Sequence, residues 1–490
     1  MMKRNTLAYI FAGLLLASCN SWLDIDPKMQ VDRDEVYTSE DGYKDVLSGC
    51  YAMLKSDDLY GKTLAWESVE YMAQHWVTGS TGTNYAFRQF NYQDEYVKSV
   101  FKNIYSKLYT VIAQANDMLR YMDQQGMEVI HSEKTLMRLK GEALAIRAFC
   151  HFELLRIFGE VPTAGATIHV SLPYAEIASE DRVPAYDYQT YTAKVLQDLM
   201  EAETLLGESD PVTEYTFAEL NDPVKLDMKA DDAFRWLKFN YRAVKALKAR
   251  FYLYTGETEL AYNTAMEVIN AKVHDEPVLE LSIAEDIANR AYTLPSETLL
   301  AMHVFELDKK AEVAFEGDNA LSAAETRDRL MEDVFHNESS DRRMQLFADH
   351  VLTGGGGRVL IVLKKYIQDD SGLGLEGNQS VGAADNFVTM QMVPLVRLAE
   401  MYLIAAECAP DLAEANRIMR IYKGNRNIEH QDYISFASME SDILNQYQRE
   451  FWGEGQMFYA YKRKMSKDIM WSVVPPVEQS YVVPLPDGEF

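Results

Sequence analysis

The chain has 490 residues, 48% of them hydrophobic and 25% charged, and its 75 acidic and 48 basic residues give a formal charge of −27. That composition excludes a mostly disordered or collagen-like chain, and at roughly 150 residues per domain it allows one to three domains with a large core. It also argues against nucleic acid as a partner, because phosphate recognition needs a basic face.

Lys3 and Arg4 precede an apolar run from Leu7 to Ala17. Crossing a bilayer takes about 20 apolar residues, so the run predicts a signal peptide over residues 1–18 and not a membrane span. It closes on Leu16-Ala17-Ser18-Cys19, small residues before a cysteine, as in a bacterial lipobox. On that pattern Cys19 becomes the lipidated first residue of the mature chain, and residues 19–40 form a tether. The competing reading is an ordinary secretory signal with a chance cysteine. Cys50, Cys150 and Cys408 remain. Three thiols cannot all pair within the chain, and helical patterns surround them, so they read as small hydrophobes.

Ser39-Glu40-Asp41 signals a helix start, and an amphipathic run follows from Gly42 to Leu54. Residues 60–95 mix large aromatics with Gly, Ser, Thr and Asn, which predicts a loop surface. Phe101, Ile104, Leu108, Val111, Ala115, Met118 and Met122 recur at helical steps. So do Leu136, Leu139, Ala143, Ile146, Cys150, Leu154 and Ile157, until Gly159 and Pro162 stop the pattern. A short polar link between the two runs predicts an antiparallel pair.

A third helix fits Tyr188 to Leu206, and an acidic, turn-rich segment covers 208–233. Helix returns over Phe234–Tyr254, stops at Gly256 and restarts over Glu257–Ala271. Small residues at the crossing and a glycine at the turn resemble tetratricopeptide-type hairpins. From 272 to 390 the period breaks, with strands expected at Glu297–Phe305 and Arg358–Tyr366. Helix resumes at Met392, then over Leu412–Tyr422, Met439–Trp452 and Gln456–Lys464. A proline-bearing extended tail closes the chain.

Motifs that carry chemistry are missing. The Gly354–Gly357 run lacks the Lys-Ser/Thr of a phosphate loop and reads as a hairpin connection. The nine histidines have no metal-ligand spacing. Asp369-Asp370-Ser371-Gly372 does not fit a calcium loop, and no Gly-x-Ser-x-Gly elbow occurs. No metal or cofactor is expected, and nothing in the pattern requires catalysis.

Five stretches, in order and spanning nearly the whole chain, resemble the SusD/RagB-type nutrient-binding lipoproteins of the Bacteroidetes outer membrane. They are the lipobox with Cys19-Asn20-Ser21-Trp22-Leu23-Asp24-Ile25-Asp26-Pro27, the Arg-Ala-aromatic helix from Lys140 to Pro162, the 246–269 hairpin, Val396 to Glu407, and Arg449-Glu450-Phe451-Trp452-Gly453-Glu454-Gly455 continuing to Arg463. Two segments depart from the family pattern. Gly424-Asn425-Arg426-Asn427-Ile428 stands where Arg-x-Arg-Ala-Gly is usual, and the ending from Val483 to Phe490 only resembles the usual close.

The resemblance implies a mainly α fold. Four tetratricopeptide-like helical pairs would form a scaffold, and an irregular, partly β region would carry the ligand site. Residues 41–490 would make a single domain, with irregular insertions at about 60–95 and 272–390. The implied role is a non-enzymatic lipoprotein, anchored in the outer membrane and facing the cell exterior. It would bind glycan nutrients and deliver them to a SusC-like TonB-dependent transporter. The alternatives are peptide cargo on the same fold, or a helical-repeat assembly protein without a small ligand.

Aromatic rings stack on sugar C–H faces and lose little side-chain entropy in binding. Trp66, Trp76, Tyr85, Phe87, Arg88 and Phe90 are therefore the first candidate ligand contacts, and Phe315, Asp318 and Asn319 the second. The competing reading packs these rings against the scaffold, where large aromatics are mostly buried.

Overall fold

Polar side chains that accept the free N–H groups of a first helical turn set most helix starts in this chain. The structure is a computed structural model that describes residues 33–177, 183–220, 233–316, 320–352, 358–367 and 391–486. Cys19, Asp318, Asn319, the four-glycine run and Asp369–Gly372 lie outside the described residues.

The main helices are α1 (Glu40–Leu54), α2 (Thr83–Arg88), α3 (Glu95–Ile130), α4 (Glu133–Phe158), α5 (Tyr188–Ser209), α6 (Tyr241–Thr255), α7 (Thr258–Ile269), α8 (Leu307–Phe315), α9 (Leu398–Glu407), α10 (Leu412–Asn425), α11 (Phe436–Glu450) and α12 (Met457–Lys464). Asp94 caps α3 by accepting from the amides of Tyr96 and Val97 at 3.0 and 3.2 Å. Ser132, Asp187, Asn240, Asp411 and Ser435 do the same for α4, α5, α6, α10 and α11. His131, in the left-handed region at φ 56°, turns α3 into α4. Gly256 at φ 84° turns α6 into α7. Such short turns force the partners to run antiparallel.

Packing then proceeds serially. α3 lies on α4, α4 on α5, α5 on α6, α6 on α7, α7 on α9, and α9 on α10 and α11. The scaffold is thus a mainly helical, tetratricopeptide-like array, as expected. One hydrophobic core runs through it from Tyr37 to Val483.

Strands are few. β1 (Thr298–His303) pairs antiparallel with β4 (Met392–Arg397), from Thr298 opposite Arg397 to His303 opposite Met392. β2 (Phe347–Val351) pairs with β3 (Val359–Leu363), from Phe347 opposite Leu363 to Val351 opposite Val359. The strands expected at 297–305 and 358–366 are therefore β1 and β3.

Three expectations change. Met392–Arg397 is a strand, and helix begins only at Leu398. The apolar run there suited both structures, and pairing with β1 decided between them. Helix begins at Tyr241 and not at Phe234, because Asn240 caps it and residues 235–237 form a single 3-10 turn. Residues 60–95 are only partly a loop surface: 77–82 carry no helix and are half-buried or exposed, while most of the segment is packed. Thr63–Glu67, Ser68–Met72 and α2 are helical turns whose apolar side chains, the half-buried Tyr85 apart, are buried.

Charge is buried in several places among the described residues, and two of them show the pairing that burial requires. On α4, Glu142 accepts from Arg235 at 2.6 Å and from the Tyr51 hydroxyl at 2.8 Å. Further along the same helix, Arg147 grips Asp198 in a fork of 2.7 and 2.6 Å. The second place is Glu450 at the end of α11, which accepts from Arg397 at 2.7 Å, Arg426 at 2.9 Å, Arg343 at 3.3 Å and the Tyr422 hydroxyl at 2.6 Å. Burial alone would raise its pKa; Arg426, Arg397 and Arg343 instead hold the carboxyl well below the usual range. Arg426 also forks onto Glu297 at 2.7 Å twice. The segment that departs from the family pattern therefore contributes a core ion pair.

Candidate functional site

Two left-handed residues shape a groove beside the buried 60–95 insertion. Gln74, at φ 65°, ends the helical turns after Met72, and Trp471, at φ 60°, bends the chain after α12. Between them opens a groove of ≈ 380 Å³ lined on one side by Thr78, Gly79, Ser80, Tyr85 and Arg88, and on the other by Glu325, Arg329 and Trp471. An antiparallel bridge holds the floor, with the Val77 amide donating to the Ser322 carbonyl at 2.8 Å.

Arg88 ties the walls. Its Nε donates to Gln74 Oε1 at 2.9 Å, one Nη to Thr78 Oγ1 at 3.3 Å, and the other Nη to the Trp471 carbonyl at 2.9 Å. All three acceptors are neutral. Burial accordingly pulls the guanidinium below its ordinary pKa. Gln74 answers by donating to the Arg88 carbonyl at 3.0 Å.

Trp471 is held on three sides. Its indole N–H donates to Asp333 at 2.6 Å, its carbonyl accepts from Arg88, and the Arg329 guanidinium sits 5.4 Å from its ring centre. Arg329 is itself fixed by Glu325 at 2.7 Å and Asp333 at 3.3 Å. The groove thus presents two half-buried rings, Tyr85 and Trp471, among groups able to donate and accept hydrogen bonds.

The candidate residues separate by burial. Tyr85 and Arg88 line the groove. Trp76 also borders it, but is fully buried and donates its N–H to the Trp66 carbonyl at 2.8 Å. Trp66, Phe87, Phe90 and Phe315 are core residues. Trp66 packs 4.8 Å from the Tyr366 ring centre, and Phe315 packs 5.8 Å from Trp76. Phe87 meets Phe101 at 6.0 Å, and Phe90 meets Tyr481 at 6.5 Å. In this arrangement those rings are packed in the core and offer no face to a ligand. The physical reason is size: a ring buries more apolar area in the scaffold than on it.

Trp471, Glu325 and Arg329 escaped the sequence reading. Trp471 was the one legible signal, a lone tryptophan in a stretch that otherwise read as an extended tail.

Among the described residues no cluster of His, Cys, Asp and Glu could hold a metal ion, and no helix is long and apolar enough to cross a membrane. Burial pushes the Cys50 and Cys408 thiols up to about 12 and Cys150 well above its usual value, so all three behave as apolar side chains.

Comparison with known proteins places relatives at both ends of the chain. Residues 21–218 match a family described as "Starch-binding associating with outer membrane", and residues 309–481 match the SusD family. SusD-like protein P25 of Formosa agariphila is 23% identical over 284 residues, 56% of this chain and 47% of that protein. The chain thus spans about half the length of the curated relative it matches.

Among solved structures, a SusD superfamily protein from Bacteroides thetaiotaomicron superposes with a TM-score of 0.67 at 20% identity, covering 92% of this chain and 97% of that one. A protein from Bacteroides vulgatus described as a putative sugar binding protein gives 0.64 at 19%, over 91% and 95%. A laminarin binding SusD-like protein gives 0.60 at 16%, over 93% and 100%. At these identities the superpositions show a shared fold.

Proposed function

The chain belongs to the SusD/RagB family, and from that premise we propose that the protein captures an oligosaccharide in the groove between Tyr85 and Trp471. The carrying observation is the pairing of two half-buried rings with Arg88, Glu325 and Arg329 around one opening. A sugar ring would stack its C–H face on Trp471 while its hydroxyls bond the polar rim. The role is binding without bond-making or bond-breaking.

The same proposal covers the chain's setting. Residues 1–18 are removed as a signal peptide, Cys19 carries the lipid, 19–40 are the tether, and 41–490 form one binding domain at the outer membrane, facing outward. The bound glycan passes to a SusC-like TonB-dependent transporter. Family membership and the two matching segments support this setting.

Titration calorimetry of the mature protein against β-glucan and α-glucan oligosaccharides tests the reading. Binding of one class, weakened at least tenfold by Trp471→Ala, is the expected result. Absence of glycan binding together with tight peptide binding would overturn it.

A further inference from the structure

The ring that the groove offers to a sugar is already covered. Arg329 and Trp471 both line the opening, and the Arg329 guanidinium carbon lies over the Trp471 ring, 5.4 Å from its centre. Trp452, a core residue, backs the same ring at 6.3 Å and 64°. A sugar that stacks on Trp471 from the groove therefore competes with the guanidinium for the electron-rich face of the indole.

Of the two groups in contact, Trp471 is the fixed one. Its N–H donates to Asp333 at 2.6 Å, and its carbonyl accepts from Arg88 at 2.9 Å. Arg88 does not yield either, being buried and held at once by Gln74, Thr78 and the Trp471 carbonyl.

Arg329 is the movable one. Its side chain is 42% exposed, and both of its partners are local: one Nη donates to Glu325 at 2.7 Å and Nε to Asp333 at 3.3 Å, four residues to either side. Exposed pairs of that spacing hold weakly and are screened by salt. The Glu325 and Asp333 side chains are themselves 61% and 38% exposed, so swinging the guanidinium outward leaves no buried charge unpaired. A π-helical turn, Leu330–Val334, begins directly after Arg329 and carries Asp333 to the indole. One short segment thus supplies both the anchor of the ring and the group over it, and such wide turns recur at functional sites.

We propose that Arg329 is a gate: its guanidinium covers the groove face of Trp471, and a neutral oligosaccharide stacks there only by displacing it. The residue sets affinity by competition, and ionic strength tunes that competition through Glu325 and Asp333. The inference rests on the glycan reading for its ligand, while the cover over the ring is a property of the protein alone.

Hydroxyl-radical footprinting of the full mature protein, read by mass spectrometry with no ligand present, tests the cover. Arg329→Ala should raise oxidation of Trp471 about threefold or more, and Glu325→Gln, which removes one of the two holds, should raise it by less. Buried Trp66 and Trp236 are the internal reference, and their unchanged rates show that each variant is folded. Calorimetry against a neutral oligosaccharide tests the competition. Arg329→Ala should tighten binding about threefold, and high salt should tighten binding by wild type but not by Arg329→Ala. Unchanged Trp471 oxidation in Arg329→Ala, or weaker binding by it, overturns the proposal, the latter making the guanidinium a ligand contact. Should no form bind a glycan, the capture reading falls, and the footprint still upholds or overturns the cover.

Discussion

Arg88 donates to the carbonyl of Trp471 at 2.9 Å across 383 positions of sequence. That bond joins the two walls of the groove and holds the indole ring at its mouth. It is fork-shaped recognition of neutral acceptors, which a lysine ammonium does not reproduce. Arg88→Lys should therefore lower oligosaccharide affinity about threefold or more, near 0.7 kcal/mol. Calorimetry reads the affinity, and near-ultraviolet dichroism reads the loosened tryptophan. Unchanged affinity would remove Arg88 from the site.

Glu450 is the hub of the second buried network, shared by Arg343, Arg397 and Arg426. Glu450→Gln removes the carboxylate that three buried arginines share, leaving each with another carboxylate partner, Asp341, Glu454 and Glu297 in turn. Breaking such a network by one partner costs about 3–5 kcal/mol. Urea unfolding should show a lower midpoint with an unchanged slope, and a loss under about 1 kcal/mol would contradict the assignment.

Asp286 titrates in the physiological range. Burial raises its carboxyl to about 7, with Glu297 and Glu285 adding to the rise and Ser296 opposing it through hydrogen bonds. A folded-state value above the unfolded one means the native protein holds the extra proton. Stability from this group is thus greatest at low pH, and falls as pH climbs from about 4 to about 7, by at most about 1.4 kcal/mol per unit. Asp286→Asn should flatten that slope, so that its advantage over wild type grows up to about pH 7 and then levels off. Melting curves between pH 4.5 and 8.5 give the comparison, and parallel curves would refute it.

Gly455 sits at φ 66°, and a Cβ there would lie 1.9 Å from the Leu64 carbonyl oxygen. Glu70 accepts from the amides of Gly453 and Gly455 at 2.9 Å each, so the turn is pinned against the helical turns of residues 63–72. Gly455→Ala should lower the melting temperature by several degrees through backbone collision and left-handed strain. Gly424→Ala, with nothing within 4 Å of its Cβ, is the control and should be neutral or slightly stabilising.

Much of the helical scaffold was readable in advance. The runs from Phe101 and Leu136 became α3 and α4, and the 246–269 hairpin became α6 and α7. Periodicity served because each of those helices buries a face. It failed at Met392–Arg397, where every residue is buried and a run of five apolar residues before Arg397 carries no period to distinguish strand from helix. The groove was legible only at Tyr85 and Arg88. Neighbouring Trp66, Trp76, Phe87 and Phe90 have the same composition signal but point into the core.

By itself the sequence determined the acidic character, the helix-rich scaffold and the family resemblance, because those depend on composition, on spacing within a few turns and on local motifs. Only the tertiary structure decided which aromatic rings face a ligand. That choice rests on contacts such as Arg88 to Trp471 and Glu70 to Gly455, made by residues hundreds of positions apart. Burial of a ring is a property of what folds over it, and local pattern holds no record of so distant a neighbour.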